Sequence, residues 1–265
     1  MTSNGYVDIH CHILPGVDDG SQSLEESLEM VRHAESQGTS VIVASFHAGV
    51  ELLDAVAYLP LIQKLNEAIS SEGLDLTIVP GSEVIAGFMP ENPREFTLNG
   101  SRYLLIEFSS SHLPIQADAM LRAYQERGVV PVIAHPERNP TILRQPEKLF
   151  RLLETSEALV QMTADSIAGT FGQEIAACSR YLLKKGAVDI IASDAHDPDY
   201  RTTGLKAGLV AAGKIVGEEE AMRMAGEYPR RLIDDLPWEP RLPAAPPAKS
   251  AKRSFFPWHF GRSQG

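Results

Sequence analysis

Apolar residues along this chain fall into two alternating patterns. Short runs of β-branched and aliphatic residues are separated by longer stretches in which apolar side chains return every three or four positions. The first pattern suits strands and the second amphipathic helices. The runs predict strands over 6–12, 41–47, 76–79 with its continuation Pro80-Gly81-Ser82-Glu83, 103–108, 129–135, 158–162 and 188–194. They are apolar throughout rather than at every second position, as expected of a sheet covered on both faces. Helices fill the intervals, for example over 61–71, 116–127 and 172–185. The first helix has a marked start: Ser23 can cap the first-turn amides and Glu26 can reach back, the two halves of a capping box. Leu28, Val31 and Ala34 then recur at helical spacing, and Gly38 ends the helix. The result is an α/β chain of about seven strand–helix units, close to the eight of a full (β/α) barrel.

The pattern stops near Trp238, which gives one barrel domain at 1–237 and a tail at 238–265. The tail begins as a Pro- and Ala-rich linker. It ends in a mixture of cations and aromatics that includes Lys252, Arg253, Phe255, Phe256 and Trp258. It is expected to be disordered. Its ending suits docking to a partner or an anionic membrane surface; a plain solvated tail is the alternative.

Composition narrows the function. A chain of 265 residues with 43% hydrophobic content can bury a sizeable core. A net charge of −11 weighs against nucleic acid as the main partner. Two cysteines, Cys11 and Cys178, make no disulfide framework, which leans towards a reducing compartment. No leader pattern opens the chain, and no apolar run approaches the roughly 20 residues of a membrane helix. The cytoplasm is the default location.

The chemistry lies at the strand ends. Six of the seven predicted strands finish on or next to metal-capable side chains: His10 and His12, His47, Glu83, Glu107, His135, then Asp194 with His196. In a parallel barrel those ends meet on one face, where active sites are built. His10 and His12 are two apart, so their rings leave the strand on the same side, and Cys11 between them faces away. Asp18 and Asp19, in the loop after the first strand, can add an oxygen ligand. Mixed imidazole and carboxylate donors suit Mn, Fe or Zn. His33, His112 and His259 sit away from any strand end and fall outside the cluster. Arg138 and Arg201 adjoin it in sequence and suit a bidentate grip on phosphate; surface salt bridges are their alternative reading.

Other catalytic motifs are missing. A cysteine phosphatase needs Cys-x5-Arg, but Val17 follows Cys11 at that spacing and Lys184 follows Cys178. There is no Gly-x-Ser-x-Gly elbow and no phosphate-cradling glycine loop.

The segment Asp8-Ile9-His10-Cys11-His12-Ile13-Leu14-Pro15-Gly16-Val17-Asp18-Asp19-Gly20-Ser21 resembles the opening of the polymerase-and-histidinol-phosphatase (PHP) superfamily. Within it, the match is to the bacterial capsule-type tyrosine-protein phosphatases. Gly81-Ser82-Glu83, the stretch 102–108, Ile133-Ala134-His135-Pro136-Glu137-Arg138 and Ile191-Ala192-Ser193-Asp194-Ala195-His196 extend the resemblance to about Asp235. It implies a distorted (β/α)7 barrel with a three-ion site, usually manganese, with Fe, Zn and Mg as alternatives. One ion falls to His10, His12, Glu83 and Asp194; a second shares Glu83 and takes Glu107 and His135; a third takes Asp19, His47 and His196. Arg138 and Arg201 match positions that contact phosphate. The implied substrate is a phosphotyrosine-bearing protein, a bacterial tyrosine kinase controlling capsule or exopolysaccharide synthesis, which would put the chain in the cytoplasm or at the inner membrane face. This chain departs from the family pattern around Ser45-Phe46-His47-Ala48, at Thr163 and at Glu227-Tyr228-Pro229, and keeps every ligand.

The reading is metal-assisted phosphomonoester hydrolysis, with water acidified by the ions as nucleophile and no phospho-enzyme. Three alternatives stand beside it. One is the same site acting on a small phosphate such as histidinol phosphate. Another is an amidohydrolase, against which stands the lack of a lysine at any strand end. The third is a non-catalytic metal-bearing module that binds a kinase.

Overall fold

The structure, a computed structural model, describes residues 5–49 and 56–238. Seven strands pair in chain order, each parallel to the next. They are β1 (Tyr6–Cys11), β2 (Thr39–Ala48), β3 (Thr77–Ile85), β4 (Tyr103–Glu107), β5 (Val130–Ala134), β6 (Leu159–Thr163) and β7 (Ile190–Ala192). The sheet curls until its ends nearly meet. At the seam the Asp194 N–H donates to the His10 carbonyl (2.7 Å) and the His12 N–H to the Ala195 carbonyl (2.9 Å). Asp8 fastens the same seam: its Oδ1 accepts the Ser193 N–H at 3.0 Å and the His10 N–H at 3.2 Å. A buried carboxylate thus replaces part of the missing β1–β7 ladder. The architecture is the expected α/β barrel of seven strands.

Helices cover the outside. They are α1 (Leu24–Ser36), α2 (Leu59–Ser71), α3 (Ala117–Gln125), α4 (Pro140–Arg144), α5 (Glu147–Thr155), α6 (Ala164–Ala168), α7 (Gln173–Lys184), α8 (Lys206–Val216), α9 (Glu218–Ala225) and α10 (Glu227–Ile233). The strands are buried on both faces; in β1, Val7, Ile9 and Cys11 are as inaccessible as Asp8 and His10 between them. Helix α9 packs on both β1 and β7 and so covers the seam. The start of α1 differs from the expected capping box in one half. Ser23 Oγ accepts the Glu26 N–H at 3.2 Å, but Glu26 Oε2 takes the N–H of Gln22 rather than that of Ser23. Gly38, at φ +93°, turns the chain out of α1 as expected.

The described chain stays packed to its end. The Tyr103 hydroxyl donates to the Leu236 carbonyl, and the Trp238 ring lies 4.5 Å from that of Tyr228. The expected linker and basic-aromatic tail, apart from Trp238, lie outside the described residues. Among the described residues, no helix is long and apolar enough to cross a membrane.

Candidate metal centre and phosphate clamp

All nine expected ligand residues come together at the carboxyl-terminal mouth of the barrel. Strand β1 and the residue after it supply His10 and His12, β2 supplies His47, β3 Glu83 and β4 Glu107. His135 and Asp194 stand just past β5 and β7, with His196 beyond; Asp19 comes from the β1–α1 loop. His10, His12, Glu83, Asp194, His135 and His196 are buried, while His47 and Glu107 are half-buried and Asp19 faces solvent. His135 and Asp194 both hold left-handed backbone, at φ +29° and +54°. Non-glycine residues adopt it at a cost of order 1–3 kcal/mol, and such strain collects at working sites. Here it lets a chain leaving a strand end turn its side chain into the mouth.

Ligand-capable atoms form overlapping groups: His12, Asp19, His47 and His196; His10, His12 and Glu83; His10, His135 and Asp194; and His47, Glu83 and Glu107. These groups overlap with, and differ in membership from, the three-ion allocation that the family resemblance implies. Glu83 is at the centre. Its Oε2 lies 3.1 Å from His10 Nε2, 3.4 Å from His12 Nε2 and 3.2 Å from His47 Nδ1. Yet that oxygen and His47 Nδ1 have no hydrogen-bond partner.

Two residues around the cluster set the ring orientations. The Asp18 carboxylate only accepts, so its 2.7 Å contact with His12 Nδ1 places the proton on that nitrogen and leaves Nε2 a lone pair facing the cluster. Gln161 does the same for His10. Its Oε1 takes the His135 N–H at 3.2 Å, which identifies it as the oxygen, and it meets His10 Nδ1 at 3.0 Å. The two Nε2 atoms then face each other at 3.3 Å beside a carboxylate oxygen. Opposed lone pairs and an unpartnered carboxylate oxygen are a donor set that a cation satisfies. The residues fit a metal centre.

The titration tendencies agree. Burial works against the ionised Glu83 and Asp194, but the His10 charge and neighbouring hydrogen bonds outweigh it and hold both well below the usual carboxylate range. Burial also disfavours protonated His10 and His12, yet the carboxylates raise both, His12 strongly. The cluster therefore draws positive charge inwards, and protons compete with metal for it. His196 goes the other way: burial and the charge of His12 push it down to about 3, so it stays neutral and able to ligate. Burial and the charge of Glu83 raise Glu107.

Beside the ligand-capable cluster stand two guanidinium groups. Asp194 Oδ2 accepts from Nη2 of both Arg138 and Arg201, the latter at 2.7 Å. Arg201 Nη2 also reaches the Asp194 carbonyl at 3.2 Å. Its Nε is buried without a partner, which leaves a donor for a ligand. The Arg138 guanidinium rests over the Phe171 ring, 5.7 Å from its centroid. Both arginines thus pair with one buried carboxylate at the barrel mouth. A cavity of about 280 Å³ opens onto both arginines and onto Glu83, Glu107, His135, Asp194 and His196.

Of the histidines set aside by the sequence pattern, the two described ones lie apart. His33 pairs with Thr203 Oγ1 at 3.0 Å, His112 is exposed beside Ser111, and His259 is outside the described residues. Three contributors were not foreseen in their roles. Asp18 orients a ligand rather than being a spare one. Gln161 is the one polar residue in the predicted run 158–162, and that interruption was its available signal. Phe171 left no trace in any pattern.

Similarity to known proteins follows this geometry. The profile of the family described as capsular polysaccharide synthesis, CpsB/CapC, matches residues 6–234. The tyrosine-protein phosphatase YwqE of Bacillus subtilis is 36% identical over 219 residues, covering 80% of this chain and 86% of that protein. The tyrosine-protein phosphatase CpsB of Streptococcus pneumoniae is 30% identical over 240 residues, covering 86% and 98%. A crystal structure from work on these two metal-dependent tyrosine phosphatases superposes with a TM-score of 0.83 at 33% identity, covering 89% of this chain and 98% of the other. By profile, sequence and fold, this chain belongs to the CpsB/CapC family.

Proposed function

We propose that this chain is a metal-dependent protein-tyrosine phosphatase. Its substrate would be a phosphotyrosine-bearing protein, a bacterial tyrosine kinase of capsule or exopolysaccharide synthesis, met in the cytoplasm. The observation that carries the reading is the sharing of Asp194: one carboxylate belongs to the ligand cluster through Oδ1, 3.2 Å from His10 Nε2, and holds both arginines through Oδ2. Phosphate gripped by those arginines would lie against the cluster.

The ligands would be His10, His12, Asp19, His47, Glu83, Glu107, His135, Asp194 and His196. Five imidazoles and four carboxylates, with no thiolate, suit three manganese ions, and Fe, Zn and Mg are the alternatives. Bound there, the ions supply an acidified water and charge neutralisation at phosphorus. The protein's own part is orientation. Arg138 and Arg201 hold the non-bridging oxygens and stabilise charge as it shifts towards the leaving group. Asp194 fixes both guanidinium groups, while Asp18 and Gln161 fix the imidazoles. The leaving phenolate departs readily, so the site needs no strong general acid. The catalytic unit would be 1–237, with the tail as a contact for a partner or membrane.

The test is turnover of a phosphotyrosine peptide before and after chelation, with elemental analysis of the protein. Activity should vanish on chelation and return with manganese. Full turnover in chelated, metal-free protein would overturn the reading.

A further inference from the structure

His135, Pro136 and Arg138 line the cavity at the barrel mouth. Glu137, inside the same turn, does not reach that cavity and is 0% exposed. Burying a carboxyl group this deeply costs free energy unless its oxygens find partners. The chemistry proposed for the mouth makes no use of it.

Glu137 Oε1 accepts the Thr163 N–H at 3.1 Å, while Oε2 has no hydrogen-bond partner. Thr163 is the last residue of β6. A second contact runs the opposite way: the Gln161 side chain, from β6, takes the His135 N–H at 3.2 Å. The β5–β6 pairing ends where Ala134 meets Gln161. Past that point the two segments are joined by side chains, one from each, and each takes a backbone N–H of the other. The donor to Glu137 is the Thr163 backbone, so the contact does not depend on a side chain at which this sequence departs from the family pattern.

The turn needs such a clasp. His135 holds left-handed backbone at φ +29°, and strained backbone persists only where its surroundings over-determine it. A single helical turn, Pro136–Arg138, follows at once and packs on both β6 and α7. Gln161 secures the His135 end. Glu137 secures the other end, next to Arg138, whose guanidinium is held at its tip by Asp194 and Phe171. A grip on phosphate depends on where the Arg138 side chain starts as well as on where it ends.

We infer that Glu137 is a positioning residue: by reaching the Thr163 N–H it fixes the turn that carries Arg138, and so the guanidinium that meets phosphate, without touching substrate or metal. This rests on the proposed phosphatase reading for its kinetic consequence and on the fold alone for the rigidity of the turn.

Reach and charge can be separated. Glu137→Gln keeps the length and an acceptor oxygen but loses the charge. Glu137→Asp keeps the charge but is one methylene short of Thr163. The metal-loaded wild type and both variants are compared by kcat/KM on a phosphotyrosine peptide, by the inhibition constant of inorganic phosphate and by metal content. Hydrogen exchange over 134–140 is followed in the metal-free proteins. Glu137→Gln should stay close to the wild type throughout. Glu137→Asp should lose kcat/KM on the order of 10²-fold, the scale of a ~1 Å misplacement beside the reacting group. It should also bind phosphate more weakly, keep its metal and exchange faster over 134–140. An Asp variant no worse than the Gln variant overturns the inference. So does an Asp variant that loses its metal along with its activity, because the damage would then not be confined to Arg138. If Glu137→Asp does not fold, Glu137→Met takes its place, with similar length and no acceptor oxygen, and is read by the same criteria. Wild-type protein that neither turns over the peptide nor binds phosphate would instead refute the phosphatase reading, and exchange over 134–140 would still decide whether Glu137 holds the turn.

Discussion

Asp18 holds His12 at 2.7 Å through the ring nitrogen turned away from the ligand cluster, and the same carboxylate oxygen accepts the backbone N–H of His47 at 3.0 Å. One side chain thus sets the tautomer of one metal-capable residue and the position of another. Burial works against the ionised form, yet His12 and the backbone amides hold Asp18 down at about 2, so it is a carboxylate throughout the neutral range. Asp18→Asn keeps the shape and loses the charge, and its amide nitrogen cannot accept the Nδ1 proton. Metal affinity or activity should fall about 10–100-fold, the usual cost of losing such a support. Competition against a chelator of known affinity measures the first, and turnover at saturating metal the second. Wild-type values for both would exclude an orienting role for Asp18.

The shared anchor at Asp194 predicts how the arginines respond. Replacing Arg138 or Arg201 by Ala should lower kcat/KM roughly 10²–10³-fold, as for loss of one donor to a charged transition state. Lysine should rescue little, because an ammonium cannot bond Asp194 and phosphate in a planar fork. The double variant should lose less than the product of the single losses, since both side chains act through one carboxylate. Metal content should be unchanged. Steady-state kinetics of the wild type, both Ala variants, both Lys variants and the double variant, with elemental analysis, check this; strictly multiplicative losses would show the two act independently.

Much of this site was readable because parallel strands deliver their ends to one face. His10, His12, His47, Glu83, Glu107, His135 and Asp194 each close a hydrophobic run, and periodicity alone says where a run ends. Asp19 and His196 lie beyond the strands; their place just after a strand end put them in the candidate cluster, and the motif resemblance allotted both to one ion. The closing of the barrel was not legible. It depends on Asp8 bridging to Ser193, a contact across 185 positions that no local pattern encodes. The helices after β7 were not drawn from the sequence either, although α9 packs on both strands of the seam and α10 on β1; they are short, and Gly217 and Gly226 stand between them. Phe171 acts through a single stacking contact, which leaves no periodic mark.

The two cysteines give a prediction that separates this chemistry from thiol catalysis. Burial raises the Cys11 thiol far above its usual range, and the nearby charges of Asp8 and Asp194 add to this. Burial pushes Cys178 up to about 12, helped by Glu137. A raised thiol pKa means a protonated, unreactive thiol at neutral pH. Native protein treated with iodoacetamide should keep full activity and show no mass increase. Alkylation should appear only after denaturation. Inactivation of folded protein in step with labelling of Cys11 would mean that the thiol is reachable, against the burial described above.

Gly20 tests whether the loop carrying Asp18 and Asp19 must press on His12. A Cβ added at Gly20 would overlap the His12 carbonyl oxygen and the His12 Cβ. That carbonyl already accepts the Ser21 N–H at 3.0 Å, and the Gly20 N–H is held by Asp18 Oδ1 at 3.0 Å, so neither partner can step aside freely. The backbone here is not left-handed; the requirement for glycine is one of space alone. Gly20→Ala should therefore push the loop outward, taking Asp19 from His47 and His196 and loosening the Asp18–His12 bond. The expected result is a stable barrel with weakened metal binding, because the overlap is confined to the mouth. A destabilisation of about 1–3 kcal/mol is the usual range for an overpacked contact. Denaturant unfolding of the metal-free protein would measure it, and metal titration would show the larger effect. A variant that binds metal like the wild type would mean that the loop can shift without moving Asp18 or Asp19. The three-atom approach of Gly20 to His12 would then be incidental to the site.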